Sequence, residues 1–141
     1  MGGTFSSIEI VVALYYSNIL NFKKNNPEWK GRDRFFVGKG HIHLAMFSIW
    51  NDIGYIKDST LNSYGKNGSK LGQQLNYHLP GSEYNTGSLG HVIGIGSGVA
   101  LSCKLNKKKF YTYALVGDAE CDEGSIWEAI MFAGNLKLNN L

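Results

Sequence analysis

Five carboxylates crowd positions 118–128, at Asp118, Glu120, Asp122, Glu123 and Glu128. The first of them, Asp118, follows Gly117 at the end of the apolar run 110–116. In an open parallel sheet, ligands collect beyond the carboxyl ends of the strands, and Asp118 falls there if that run is a strand. A carboxylate on a glycine turn can ligate a hard cation such as Mg²⁺, while the backbone N–H groups that open the next helix attract phosphate. The same Gly-Asp step also serves as a plain turn cap, so both readings stand. Glu120, Asp122 and Glu123 weigh toward chemistry, because carboxylates this close repel unless a cation, a basic group or a shared proton offsets them.

His41 follows the glycine loop Gly38-Lys39-Gly40 at the start of a helical pattern. There it can donate to an anion or exchange a proton near neutrality, or simply hydrogen-bond a helix end. His91 follows the turn Thr86-Gly87-Ser88-Leu89-Gly90 and is a candidate lining residue on the same logic. His43 and His78 have no such spacing and read as surface or packing residues. Trp127 reads as core or interface.

The elements that must hold these groups read as follows. Ser6-Ser7-Ile8-Glu9 has the spacing of a capping box, and apolar residues then recur at Ile8, Val11, Val12, Tyr15, Ile19 and Phe22, predicting a helix over 7–22 that Asn25-Asn26-Pro27 stops. A second helix is predicted over 41–53, with Gly54 ending it. Residues 62–90, rich in Asn, Gly and Ser, predict a long surface loop around a short helix near 59–64. Gly90, Gly94, Ser97, Gly98 and Leu101 predict a helix whose small-residue face lies close to a sheet; the G-x-G-x-x-G alternative fails because Val99 and Leu101 stand where glycine would be needed. Residues 110–116 predict a buried parallel strand, and Ser125-Ile126-Trp127-Glu128 a second capping box opening a helix to about Leu138. The expected fold class is α/β, a parallel sheet flanked by helices.

Composition narrows the function classes. At 141 residues, 43% apolar and 18% charged, the chain suits one folded domain and not a disordered or collagen-like one. No apolar stretch is long enough to span a membrane and no targeting signal is visible at the N-terminus, so a cytoplasmic location is the default expectation. The net charge of +3 divides into +7 over residues 1–116 and −4 over 117–141. Lys107-Lys108-Lys109 reads as a solvated turn, and no nucleic-acid motif accompanies the lysines. Cys103 and Cys121 have no metal-site spacing and read as reduced thiols.

Four segments in collinear order carry a resemblance: Gly38-Lys39-Gly40-His41, the run 64–72 (YGKNGSKLG), Thr86-Gly87-Ser88-Leu89-Gly90-His91, and the run 117–129 (GDAECDEGSIWEA). They resemble the N-terminal, diphosphate-binding part of transketolases, particularly the subunits encoded as separate halves. The resemblance implies the thiamine-diphosphate-binding fold, with residues 1–141 as a partial diphosphate-binding domain. It implies a thiamine-diphosphate- and Mg²⁺-dependent enzyme that moves a two-carbon ketol unit between sugar phosphates. Carried onto this sequence, Asp118 is a Mg²⁺ ligand, and Gly117, Ala119 and Glu120 border the diphosphate. Ser88, Leu89 and Gly90 line the cofactor cleft, and His41 approaches cofactor and substrate. Glu123 and Glu128 join an acidic network that links paired active sites, with Glu123 counted among the catalytic groups.

The resemblance further implies a partner: a C-terminal subunit carrying the pyrimidine-binding domain, in a homo- or hetero-oligomer, with no nucleic acid or membrane involved. Three departures bear on this. Ala119 stands at the family's glycine, Gln74 falls where relatives place a substrate-facing histidine, and the chain ends at a segment, 137–141, that resembles the start of the strand leading to a further Mg²⁺ ligand. Other thiamine-diphosphate enzymes, of the 1-deoxyxylulose-5-phosphate synthase or 2-oxo acid dehydrogenase kinds, are alternatives that the segment 123–129 disfavours. A non-catalytic interaction module is the alternative outside enzymes.

Overall fold

The computed structural model describes residues 2–141. They form two compact units, one of residues up to Arg32 with Gly40–Asn85, the other of Asp33–Lys39 with Thr86–Leu141.

The first unit holds four helices, α1 (Gly2–Phe5), α2 (Ile8–Tyr16), α3 (His43–Asp52) and α4 (Asp58–Leu61), with a 3₁₀ turn, Gly40–Ile42, leading into α3. Its core gathers on α3, where Met46, Phe47 and Trp50 are buried with Ile42 and Ile53 at its ends. From α2, Val11 and Tyr15 are buried, and the Trp50 indole N–H donates to the Tyr15 hydroxyl at 3.3 Å. The loop 62–85 is not a loose strap, because Leu71, Leu75 and Leu79 anchor it at 3–4% exposure. Burial of such side chains is what offsets the ordering of a long segment without regular structure.

The second unit is α/β: strands β1 (Arg34–Val37) and β2 (Thr112–Leu115) pair in parallel, Arg34 opposite Thr112 through Val37 opposite Leu115. The pairing is extended at both ends, by the Tyr111 N–H to an Asp33 carboxylate oxygen (2.7 Å) and by the Gly38 N–H to the Leu115 carbonyl (2.8 Å). Helix α5 (Val92–Leu105) packs on the strands, and α6 (Gly124–Asn135) packs on α5. The close approach to the sheet is made at Gly96, whose Cα lies under Thr112 and Ala114, whereas Gly94 faces Ala129 of α6 and Gly98 faces open space. The expected glycine face is therefore split between two neighbours.

Several boundaries differ from expectation for a shared reason. Asn18, Gly54, Lys107 and Lys137 all have positive φ, at 57°, 78°, 51° and 49°, two residues past the ends of α2, α3, α5 and α6. A left-handed residue there lets the next N–H groups turn back onto the last carbonyls. After α5, for example, the Lys107 N–H bonds the Lys104 carbonyl and the Lys108 N–H that of Cys103; Tyr55 and Leu138 make the equivalent long bonds after α3 and α6. So α2 stops at Tyr16 rather than Phe22, and α6 at Asn135 rather than Leu138. Neither capping box forms: Ser7 and Glu123 are the N-cap residues of α2 and α6, and neither makes a side-chain cap bond. Residues 34–37, for which the sequence pattern predicts no element, form β1. The predicted strand 110–116 is confined to Thr112–Leu115.

Among the described residues no helix is long and apolar enough to cross a membrane. Cys103 and Cys121 are both free thiols.

Candidate cofactor site

At the carboxyl end of β2 the chain turns through Gly117 and Asp118 into a 3₁₀ turn, Ala119–Asp122, and then into α6. Asp118 and Ala119 are exposed, and Glu120 is 1% exposed. The tight turn sends alternate side chains to opposite sides: Asp118 outward, Glu120 into the unit. The Asp118 carboxylate makes no hydrogen bond or ion pair with any described side chain or backbone group; only its carbonyl is used, by the Cys121 N–H at 3.0 Å.

Glu120 is held by two backbone donors. The Gly90 N–H reaches one carboxylate oxygen at 3.0 Å and the Gly117 N–H the other at 3.1 Å. Two amide bonds of this kind offset the cost of burying a carboxylate. Gly38, at the end of β1, lies against the same carboxylate so closely that a Cβ there would overlap both oxygens. Gly90 and Gly117, expected to present their backbones to a cofactor, thus have their N–H groups engaged inside the protein. This arrangement was not visible from motif spacing. Its one trace in the sequence is a glutamate accompanied by glycines at three separate segment ends.

Gly90 has φ +86°, and a Cβ on it would meet the Ser125 hydroxyl and the Glu123 side chain at 2.8–3.0 Å. Ser125 donates to the Gly90 carbonyl at 2.7 Å. The loop before α5 is thereby joined to the start of α6, and the structure brings Gly90, Gly117, Glu120 and Glu123 together. Ser88 and Leu89, just before Gly90, are exposed, as are Glu123, Glu128 and His91. Trp127 is 57% exposed although its indole N–H donates to the Cys121 carbonyl at 2.8 Å, so it is not a core residue.

In the first unit, His41 is exposed on the 3₁₀ turn, with its ring over Gly3, where any Cβ would collide with it. His43 is buried, 3.0 Å from the Tyr64 hydroxyl, and burial holds its pKa below the ordinary histidine value. His43 is thus a packing residue, as expected from its spacing. Gln74 is exposed on the long loop.

The donor set can be tested against a divalent cation. No three His, Cys, Asp or Glu side chains gather into a metal cage among the described residues. An exposed, unengaged carboxylate at a strand's carboxyl end fits a single protein ligand to a hard cation that completes its shell with diphosphate, water or carbonyl oxygens.

Parallel strands whose carboxyl ends carry such an aspartate, beside a glycine turn braced from within, place the second unit in the α/β class whose ligands collect beyond the strand ends. The family model described as "Transketolase, thiamine diphosphate binding domain" matches residues 2–141, and the chain belongs to that family. One of the subunits of the apulose-4-phosphate transketolase of Phocaeicola vulgatus is 38% identical over all of this chain and 50% of its own length. The 6-deoxy-6-sulfo-D-fructose transketolase subunit SqwG of a Clostridium species is 34% identical over all of this chain and 51% of its own. Among solved structures, transketolase from Leishmania mexicana superposes with a TM-score of 0.81 at 27% identity, over 92% of this chain and 21% of that one. The chain spans about half the length of these two subunits and 22% of the human transketolase that it also matches.

Proposed function

We propose that the chain is the N-terminal, thiamine-diphosphate-binding part of a transferase of transketolase type, which moves a two-carbon ketol unit between sugar phosphates. Residues 1–141 are on this reading a partial diphosphate-binding domain, at work in the cytoplasm. The observation that carries it is Asp118: exposed, unengaged and directly beyond β2, it is available to a cation, while its neighbour Glu120 fixes the turn from behind. Asp118 would hold Mg²⁺, and the backbone of Ala119 and Glu120 would face the diphosphate. Ser88, Leu89 and Gly90 would border the cofactor, and His41 would approach it and the sugar. The cofactor's contribution is carbanion stabilisation; the protein's is orientation, charge and proton transfer.

The partner on this reading is a C-terminal subunit carrying the pyrimidine-binding domain. Two relatives are named as transketolase subunits, which supports it. So does the surface of α6, where Trp127, Ile130, Met131 and Phe132 are 43–66% exposed beside the exposed Glu123 and Glu128. An apolar helix face of that kind marks a protein contact.

Calorimetry with thiamine diphosphate and Mg²⁺ tests the proposal, on the chain alone and mixed with a candidate C-terminal subunit. Mg²⁺-dependent binding that disappears in Asp118→Ala is the expected result. Absence of binding in both settings overturns it.

A further inference from the structure

We infer that Glu120 is a positioning residue for the cofactor site, an internal clamp whose carboxylate fixes the spacing of three glycine-bearing segments and acts on cofactor affinity without that side chain touching the cofactor. The inference rests on the reading of the site as diphosphate-binding and deepens it. The three segments are the end of β1 at Gly38, the loop before α5 at Gly90 and the end of β2 at Gly117. None of them is adjacent in sequence to another. One side chain reaches all three, by bonds of 3.0 Å and 3.1 Å to the Gly90 and Gly117 amides and by close contact with Gly38.

The geometry is demanding. Gly38 has to lack a Cβ, since one would occupy the place of the carboxylate oxygens. Both oxygens have to be acceptors, because each faces an N–H. A glutamine presents one acceptor and one NH₂ group, so it keeps one bond and sets a donor against the other amide. An alanine removes both bonds and leaves the buried Gly90 N–H and the half-buried Gly117 N–H unpaired.

The consequence for binding follows from what the two ends of the clamp carry. Gly117 immediately precedes Asp118, and Gly90 immediately follows Ser88 and Leu89. The clamp therefore fixes the distance between the proposed cation ligand and the loop bordering the cofactor. A site whose supporting residues are locked binds with less ordering cost than one that has to assemble around its ligand.

The test uses the full 141-residue chain, with its partner subunit if that is needed for binding, and compares wild type with Glu120→Gln, Glu120→Ala and Gly38→Ala. Two quantities are read: amide hydrogen exchange at Gly90 and Gly117 without cofactor, and affinity for thiamine diphosphate with Mg²⁺. Protection at both amides is expected in the wild type, at one in Glu120→Gln and at neither in Glu120→Ala, with exchange in β2 unchanged. Affinity should fall in the same order, by about tenfold or more in Glu120→Ala. Gly38→Ala, which displaces the carboxylate while leaving it in the chain, should weaken binding as Glu120→Ala does. If Glu120→Ala does not fold, Glu120→Gln and Gly38→Ala decide the matter. Wild-type protection and affinity in these variants overturn the inference. A wild type that binds no thiamine diphosphate in either setting counts against the proposed function, and the exchange pattern alone then decides the clamp.

Discussion

The Ser125 hydroxyl donates to the carbonyl of Gly90 across 2.7 Å, although its position in the sequence suits it to cap its own helix. Two facts make this bond more than incidental. Gly90 sits at φ +86°, in the left-handed region, and the space beside its Cα is filled by Ser125 and Glu123. The glycine is required twice over, by its backbone angle and by its neighbours, and the first turn of α6 is held to the loop that carries Ser88 and Leu89.

Gly90→Ala is therefore expected to destabilise the chain by about 1–3 kcal/mol for the left-handed backbone alone, with the contacts adding to that. Ser125→Ala removes one hydrogen bond and should cost about 1 kcal/mol. Urea unfolding midpoints compare the two, and a midpoint for Gly90→Ala at or above that of Ser125→Ala contradicts the account.

Asp118 makes the opposite prediction, because nothing in the fold depends on its side chain. Asp118→Asn should leave the melting temperature of the chain without added ligand almost unchanged, within about 0.5 kcal/mol of stability. Wild type should gain about 2.7 kcal/mol at a hundred times the dissociation constant of thiamine diphosphate in the presence of Mg²⁺. The variant should show no gain when Mg²⁺ is added. An equal thermal shift in both proteins removes Asp118 from the site.

His43 gives the chain an acid-side sensitivity. Burial favours its neutral form, so its pKa in the folded protein lies below the ordinary 6.5. The unfolded chain then takes up the proton first as the pH falls, and stability present above pH 6.5 is lost on descending through the folded value. His43→Leu removes this loss, although it also leaves the Tyr64 hydroxyl without its partner at 3.0 Å. Melting temperatures at about pH 7.5 and about pH 5, on either side of that range, should differ more in wild type than in the variant. An equal or larger difference in His43→Leu rejects the assignment.

Much of this architecture is written in local patterns. The strand-Gly-Asp step at 115–118, the helical period of α3 and the glycine stop at Gly54 are each decided by neighbours in sequence. The features that depart from those local patterns depend on distant partners or on backbone angles. The apolar period runs on through Ile19 and Phe22, but Asn18 turns left-handed and ends α2; Phe22 then packs edge-on against Tyr15 from outside the helix, centroids 5.3 Å apart. Four residues of β1 were too few to show alternation and were recognised only by pairing with β2. Ser125 was drawn away from its cap by a carbonyl 35 positions earlier. Glu120 reads from the sequence as a member of an acidic cluster bordering the diphosphate, because a charged residue gives no sign in sequence that two amides will enclose it.

Arg32 shows the same dependence on distance, and its pairing with Glu83 can be measured. The two side chains are 14% and 11% exposed, and the Arg32 Nε also donates to the Pro27 carbonyl at 2.6 Å. Within the first unit this ties the segment ahead of β1 to the long loop. A pair so nearly buried gains little over apolar side chains of similar size, since desolvation offsets most of the attraction. Breaking it is another matter: Glu83→Leu leaves a guanidinium without its counter-charge and should cost about 3 kcal/mol or more. Replacing both, as Arg32→Met with Glu83→Leu, should cost less than Glu83→Leu alone. A double-mutant cycle read by urea unfolding gives the coupling directly. If the double variant is as unstable as the sum of the single changes, the two residues act independently and the loop is held by its leucines alone.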